Sequence, residues 1–139
     1  MNKGFMIPRT IFKRIRAQAN EERPNEACGY LMGTDNTASV FHRMTNVDHS
    51  TEHFTFDPSE QFAALEKARD NGLDLICVYH SHPNTPARMS EEDKRLAFDT
   101  TVVYVIYSIA EQTAKAFRIN EEKIVTEIDL QITDEAAAS

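Results

Sequence analysis

At 139 residues, with 41% hydrophobic and 27% charged side chains, the chain has the make-up of one soluble globular domain large enough to bury a core. Its net charge of -7 excludes nucleic acid as a general partner, because binding phosphate needs a basic surface. No apolar run is long enough to span a membrane and Met1 to Ile7 is too short for the apolar part of a signal peptide, so a cytoplasmic protein is expected.

In chain order, Phe5-Met6-Ile7 reads as a short strand, with Pro8 as the first residue of a helix. Ile11, Phe12, Ile15 and Ala19 recur at helical spacing, while Lys13, Arg14, Arg16 and Gln18 face out. The basic cluster is therefore read as the wet face of that helix, and Pro24 marks its end. Ala27 to Gly33 and Ala38 to Thr45 read as two strands joined by the turn residues Thr34 to Thr37. Asn46 to His53 is polar and irregular, and His49 and His53 are taken as loop histidines, not ligands. Phe54-Thr55-Phe56 alternates like a short strand. Asp57-Pro58-Ser59-Glu60 then supplies an Asp cap, Pro at the first helical position and Glu at the third. The helix that follows is expected to bury Phe62, Leu65 and Ala68 and to stop at Asn71-Gly72.

Leu73 to Tyr79 and Thr101 to Ile109 are almost continuously apolar, as strands covered on both faces are. A loop and a helix from about Ser90 to Asp99 separate them, which makes a crossover and a parallel pair. Ala114 to Ile119 and Ile124 to Ile132 read as a closing hairpin around Asn120 to Lys123. The domain is expected to cover 1–132, with 133–139 a fraying tail. Cys28 and Cys77 fall on strands without C-x-x-C spacing, so free thiols in a reducing compartment are expected. This order describes a single α/β domain, a mixed sheet flanked by helices.

The chemistry gathers where the Leu73 to Tyr79 strand runs into His80-Ser81-His82-Pro83. Residues two apart on extended backbone share a side, so both imidazoles can face one point. Ser90 follows His82 by seven residues and Asp93 comes three later, one turn into the next helix. Two imidazoles and one carboxylate leave a fourth tetrahedral position open, as catalytic zinc requires. Taken singly, the His pair is ordinary loop chemistry and Ser90 with Asp93 an ordinary capping box. Together, H-x-H, seven residues, S, two residues, D resembles the JAMM (MPN-plus) zinc metalloprotease family. Glu26, in Pro24-Asn25-Glu26-Ala27-Cys28-Gly29, resembles the upstream Glu of the family's short bacterial-type branch, which is typically followed by a small residue, Cys and Gly.

The resemblance implies a cytidine-deaminase-like fold and one catalytic Zn²⁺ held by His80, His82 and Asp93. It also implies Glu26 as general base and Ser90 as a hydrogen-bond donor to the oxyanion. The implied substrate is an amide bond next to the C-terminal Gly-Gly of a small ubiquitin-like sulfur-carrier protein. No stretch is left over for the long insertions of eukaryotic relatives, and the chain ends without Gly-Gly, so it is not itself read as the carrier. The oligomeric state is open, a homodimer being one option. A cysteine hydrolase built on Cys28 would leave Asp93 without a role, and a zinc nucleoside deaminase would need a P-C-x-x-C pair that is missing. A non-catalytic MPN-type scaffold subunit is the remaining alternative, and such proteins usually lack the ligands present here.

Overall fold

The computed structural model describes residues 4–134. Along them run β1 (Phe5–Pro8), α1 (Arg9–Glu22), β2 (Cys28–Thr34), β3 (Thr37–Met44), α2 (Pro58–Asp70), β4 (Asp74–His82), α3 (Glu91–Leu96), β5 (Val103–Ser108), β6 (Thr113–Ile119), β7 (Val125–Ile128) and β8 (Leu130–Thr133). The strands form one mixed sheet in the order β7-β6-β5-β4-β2-β3-β1-β8. Pairing is antiparallel except for β4 with β5 and for β1 with β3 and β8. The parallel β4–β5 pair is the one that the crossover through α3 demands. Among the described residues, no helix is long and apolar enough to cross a membrane.

Each face of the sheet carries its own core. On one, Ile11, Ile15 and Ala19 of α1 pack against Phe5, Leu31, Tyr79 and Val105, with side chains from all eight strands joining. On the other, α2, together with Met89 and Ala97 on either side of α3, covers Tyr30, Met32, Val78, Tyr104 and Ile106. β4 lies at the centre and is buried from Cys77 to His82, so alternate residues of its last turn of sequence face opposite cores.

Several sequence expectations change in the folded chain. Pro8 closes β1, pairing with Thr133, and does not open α1. Gln18, expected to face out, is 1% exposed because its amide donates to the carbonyls of Cys28 and Met44, at 3.0 and 3.4 Å. Phe54 to Phe56 is not a strand, and only Phe56 bridges, to Asn46. α2 lays Ala64 and Ala68 on the sheet and leaves Phe62 58% and Leu65 43% exposed. Glu60 leaves its own helix cap and accepts from both the N–H and the hydroxyl of Thr45 at 2.8 Å. α3 ends at Leu96, short of Asp99. The single last strand breaks at Asp129, whose carbonyl accepts from Phe5 N–H at 2.8 Å, and the two halves pair at opposite ends of the sheet. β8 takes in Thr133, the first residue of the segment read as a tail, and 135–139 lie outside the described residues.

Candidate metal centre

β2 and β4 are antiparallel, with Cys28 opposite His80 and Gly29 opposite Tyr79. Continuing that register brings Ala27 to Ser81 and Glu26 to His82. Two bonds hold the extension: Ser81 N–H donates to the Ala27 carbonyl at 2.9 Å, and Ala27 N–H donates to the Ser81 hydroxyl at 2.8 Å. Asn46 and Ser50 fix the other side of Glu26, through its carbonyl (3.0 Å) and its N–H (2.8 Å). Glu26, fifty-six positions before His82, is thereby set beside the end of β4.

His80 and His82 project from one face of β4, and Asp93 reaches them from the first turn of α3. Their ligand atoms lie within 4.8 Å of one another and all three residues are buried. The two Nε2 atoms are 3.2 Å apart, and the Asp93 oxygens stand 3.3 Å from His80 and 3.0 Å from His82. A tetrahedral ion with arms of about 2.0–2.1 Å has ligand–ligand edges of roughly 3.3 Å, so the set fits such an ion without rearrangement. The donor chemistry fits as well. His82 Nδ1 lies 2.8 Å from the Pro86 carbonyl, which can only accept, so Nδ1 carries the proton and Nε2 keeps its lone pair. Phe54 stacks on His80 with ring centroids 4.8 Å apart.

α3 begins with a complete capping box: Ser90 Oγ accepts from Asp93 N–H, and the Asp93 carboxylate accepts from Ser90 N–H, both at 3.0 Å. That box sets the Asp93 rotamer. It also leaves the hydroxyl hydrogen of Ser90 free to donate into the cleft that Ser90 lines with Glu26 and His82.

Burial dominates the electrostatics. It pushes the Glu26 carboxyl up to about 8, a shift that His82 moderates and Asp93 reinforces. Burial also lowers His80. It works against charge on Asp93 too, but hydrogen bonds with His80 and His82 win and hold that carboxyl far below the usual range. His82 is raised, since its bonds to Asp93 and Pro86 outweigh desolvation.

All five residues singled out in the sequence thus meet at one place. Cys28 lies in the core and its thiol is pushed up to about 12 by burial, which is the wrong direction for a nucleophile. His53 lines the pocket beside His80 but pairs with Asp48 at 3.1 Å, outside the three-residue group. The sequence did not reveal the carbonyl of Pro86, the stacking of Phe54 or the tether through Ser81. The Pro86 contact had one available signal, a proline four residues after a candidate ligand.

Residues 8–120 match the model of the prokaryotic homologues of the JAB domain. The CysO-cysteine peptidase of Mycobacterium tuberculosis is 29% identical over 106 residues, 75% of this chain and 73% of that protein. A probable TtuB-protein conjugate cleaving protease of Thermus thermophilus is 33% identical over 102 residues, 73% of this chain and 68% of that one. A protein of Desulfitobacterium hafniense solved in solution superposes with a TM-score of 0.86 at 38% identity, covering 94% of both chains. A JAB1/MPN domain protein of Archaeoglobus fulgidus shares the fold, with a TM-score of 0.62 at 20% identity over 94% of this chain and 98% of that one. With His80, His82 and Asp93 of its H-x-H…S-x-x-D pattern folded into one buried group inside that domain, the chain belongs to the JAMM (JAB/MPN) family, in its prokaryotic branch.

Proposed function

We propose that this protein is a zinc-dependent peptidase that hydrolyses the amide bond following the C-terminal Gly-Gly of a small ubiquitin-like carrier protein. The observation that carries the reading is the buried His80–His82–Asp93 group with the Glu26 carboxyl beside it. The names of the relatives support the substrate class, since they describe a CysO-cysteine peptidase and a protease of TtuB–protein conjugates. The free thiols of Cys28 and Cys77 support a reducing, cytoplasmic setting.

His80, His82 and Asp93 would hold the zinc ion, which would supply Lewis acidity to a carbonyl and to water, whose pKa such an ion lowers from 15.7 to about 7. Glu26 takes a proton from the attacking water and passes it to the departing nitrogen. The water oxygen ends on the carbonyl carbon, the C–N bond breaks, and the products are a carboxylate and an amine. Ser90 donates its free hydroxyl hydrogen to the oxygen that gains charge, and one such donor is worth about 2.7–4 kcal/mol when well aimed. Gly-Gly suits a narrow approach because it has no side chains to clash. The direct test is to incubate zinc-loaded protein with carriers extended past Gly-Gly and follow the mass. Loss of the extension is expected. Cleavage of unrelated short peptides with no carrier processed would replace the reading with a general peptidase.

A further inference from the structure

The loop from Asn46 to Phe56 passes both sides of the His80–His82–Asp93 group. Thr51 and Glu52 line the cleft over His82, together with Glu26 and Ser90. His53 and Phe54 line the pocket on the side of His80 and Asp93. The ends of the loop are held at the start of α2. Glu60 accepts from Thr45 at one end, and at the other Asp57 caps the helix by accepting from Ser59 N–H at 3.0 Å. The middle of the loop is organised by the side chain of Asn46.

Asn46 is buried, and its backbone bridges to Phe56 at the mouth of the loop. Its amide nitrogen donates to the carbonyls of Glu26 and His53, both at 3.0 Å. Its amide oxygen accepts from the N–H groups of Asp48 and Thr55, at 3.1 and 3.2 Å. An asparagine side chain offers two donors and two acceptor sites, so all four are used. Two of the partners can only accept and two can only donate, which leaves the amide one orientation. Three of the four bonds close the loop on itself, and the fourth reaches out to Glu26. A second bond joins the same two pieces, from Glu26 N–H to the Ser50 carbonyl at 2.8 Å. Ser50 is itself held within the loop, its hydroxyl accepting from the N–H groups of Glu52 and His53.

We propose that Asn46 is a positioning residue for Glu26: its side-chain amide locks the 46–56 loop into one piece and ties that piece to Glu26, so that the base and the walls of the site keep one spacing. The inference rests on the peptidase reading, which makes Glu26 the base. Towards β4, the chain is held one residue further on, through Ala27 and Ser81, whereas Asn46 and Ser50 hold Glu26 itself. With both flanks bonded, the carboxyl has a fixed place beside His82. Removing the Asn46 amide leaves the carbonyls of Glu26 and His53 and the N–H groups of Asp48 and Thr55 without that partner. Buried groups of this kind must find water instead, and the loop loosens to let it in. A displacement of about 1 Å at the base is enough to cost roughly 10²-fold in rate.

The test uses the full zinc-loaded chain and a carrier extended past Gly-Gly. Asn46→Ala should keep its zinc and lose about 10- to 10²-fold in kcat, with KM changed by less than about threefold. In the Glu26→Gln background the same substitution should cost less than about threefold, because the group that Asn46 positions is already gone. A residue that only supported the fold would cost the same factor in both backgrounds, and equal losses would overturn the inference. Amide exchange followed by NMR supplies a readout independent of turnover. Asn46→Ala should quicken exchange at Glu26 by about tenfold or more and leave Ala27, which Ser81 holds, unchanged. Unchanged exchange at Glu26 would also overturn the inference. If Asn46→Ala does not fold, Asn46→Asp takes its place and is read in the same way, since a carboxylate still accepts from Asp48 and Thr55 but cannot donate to Glu26 or His53. A wild type that cuts no carrier would refute the peptidase reading, and the exchange rates would still decide whether Asn46 ties Glu26 to the loop.

Discussion

Replacing Glu26 by glutamine should change how the stability of metal-free protein depends on pH, and burial fixes the direction. Burial raises this carboxyl from 4.5 to about 8. A carboxyl raised in the fold binds its proton more tightly there than in the unfolded chain, so between these values the folded state holds more protons. The contribution is fully present below about pH 4.5 and is lost as pH climbs towards 8. One unit is worth about 1.4 kcal/mol, which sets a ceiling of roughly 3 kcal/mol at neutral pH. Water reaching the open cleft brings this down to about 1–2 kcal/mol. Glutamine keeps the shape and cannot ionise. Urea unfolding of chelator-treated wild type and Glu26→Gln from pH 4.5 to 8 should therefore show the wild type losing about 1–2 kcal/mol relative to the variant. His82 titrates in both proteins and largely cancels in the difference. Added zinc should flatten the wild-type curve, because a cation beside the carboxylate favours its charged form. Parallel curves for the two proteins would refute the reasoning, since Glu26 would then be ionised and solvated throughout.

Elemental analysis should find zinc near one per chain in the wild type and largely lost in His82→Ala; full retention in the variant would sink the ligand assignment. Glu26→Gln should keep its zinc while turnover falls by roughly 10²–10⁴-fold, and release of the metal would make Glu26 a ligand. Ser81→Ala should keep zinc, lose about 1 kcal/mol in unfolding experiments and lower kcat more than it raises KM, because Ala27 loses the hydroxyl that sets Glu26. Cys28→Ala should leave turnover within a few-fold, and abolished activity with zinc intact would return the thiol to the mechanism.

The His80–His82–Asp93 group was legible because its geometry is local. Period-two alternation aligns His80 with His82, and one helical turn brings Asp93 back over them. Glu26 was less so: its place depends on β2 running antiparallel to β4 in the Cys28–His80 register, which apolar patterning does not specify. Gln18 was misplaced for a related reason. A polar residue on a helix is buried only where distant carbonyls receive it, and those of Cys28 and Met44 come from two other strands. On α2 the larger side chains were expected inside, but a helix lying close to the sheet has room for alanine, so Ala64 and Ala68 face in. The break at Asp129 followed from an unmet need at the far edge of the sheet. β1 pairs with β3 on one side, and only β8 meets its backbone on the other.

The strand that carries His80 and His82, the proposed ligands, also sets Glu26, the proposed base. Ser81 lies between His80 and His82 but faces away from them, and both its N–H and its hydroxyl engage Ala27. Any shift of β4 therefore carries Glu26 with it. On the other flank, the Pro86 carbonyl orients His82, and the loop bearing Pro86 is pinned on both sides. Ser108 donates to the Thr85 carbonyl at 2.7 Å, and Glu111 accepts from Ala87 N–H at 3.2 Å. Ile109 N–H in turn donates to the His82 carbonyl at 3.0 Å, so β5 holds both the strand end and the loop above it. Proton transfer is sensitive to misplacement of about 1 Å, which can cost roughly 10²-fold in rate. Short tethers from Glu26, His82 and the Pro86 carbonyl to β4 and β5 keep their separations fixed even when the cleft is open to solvent. That arrangement explains how a buried carboxyl can be kept next to His80, His82 and Asp93 without collapsing onto them.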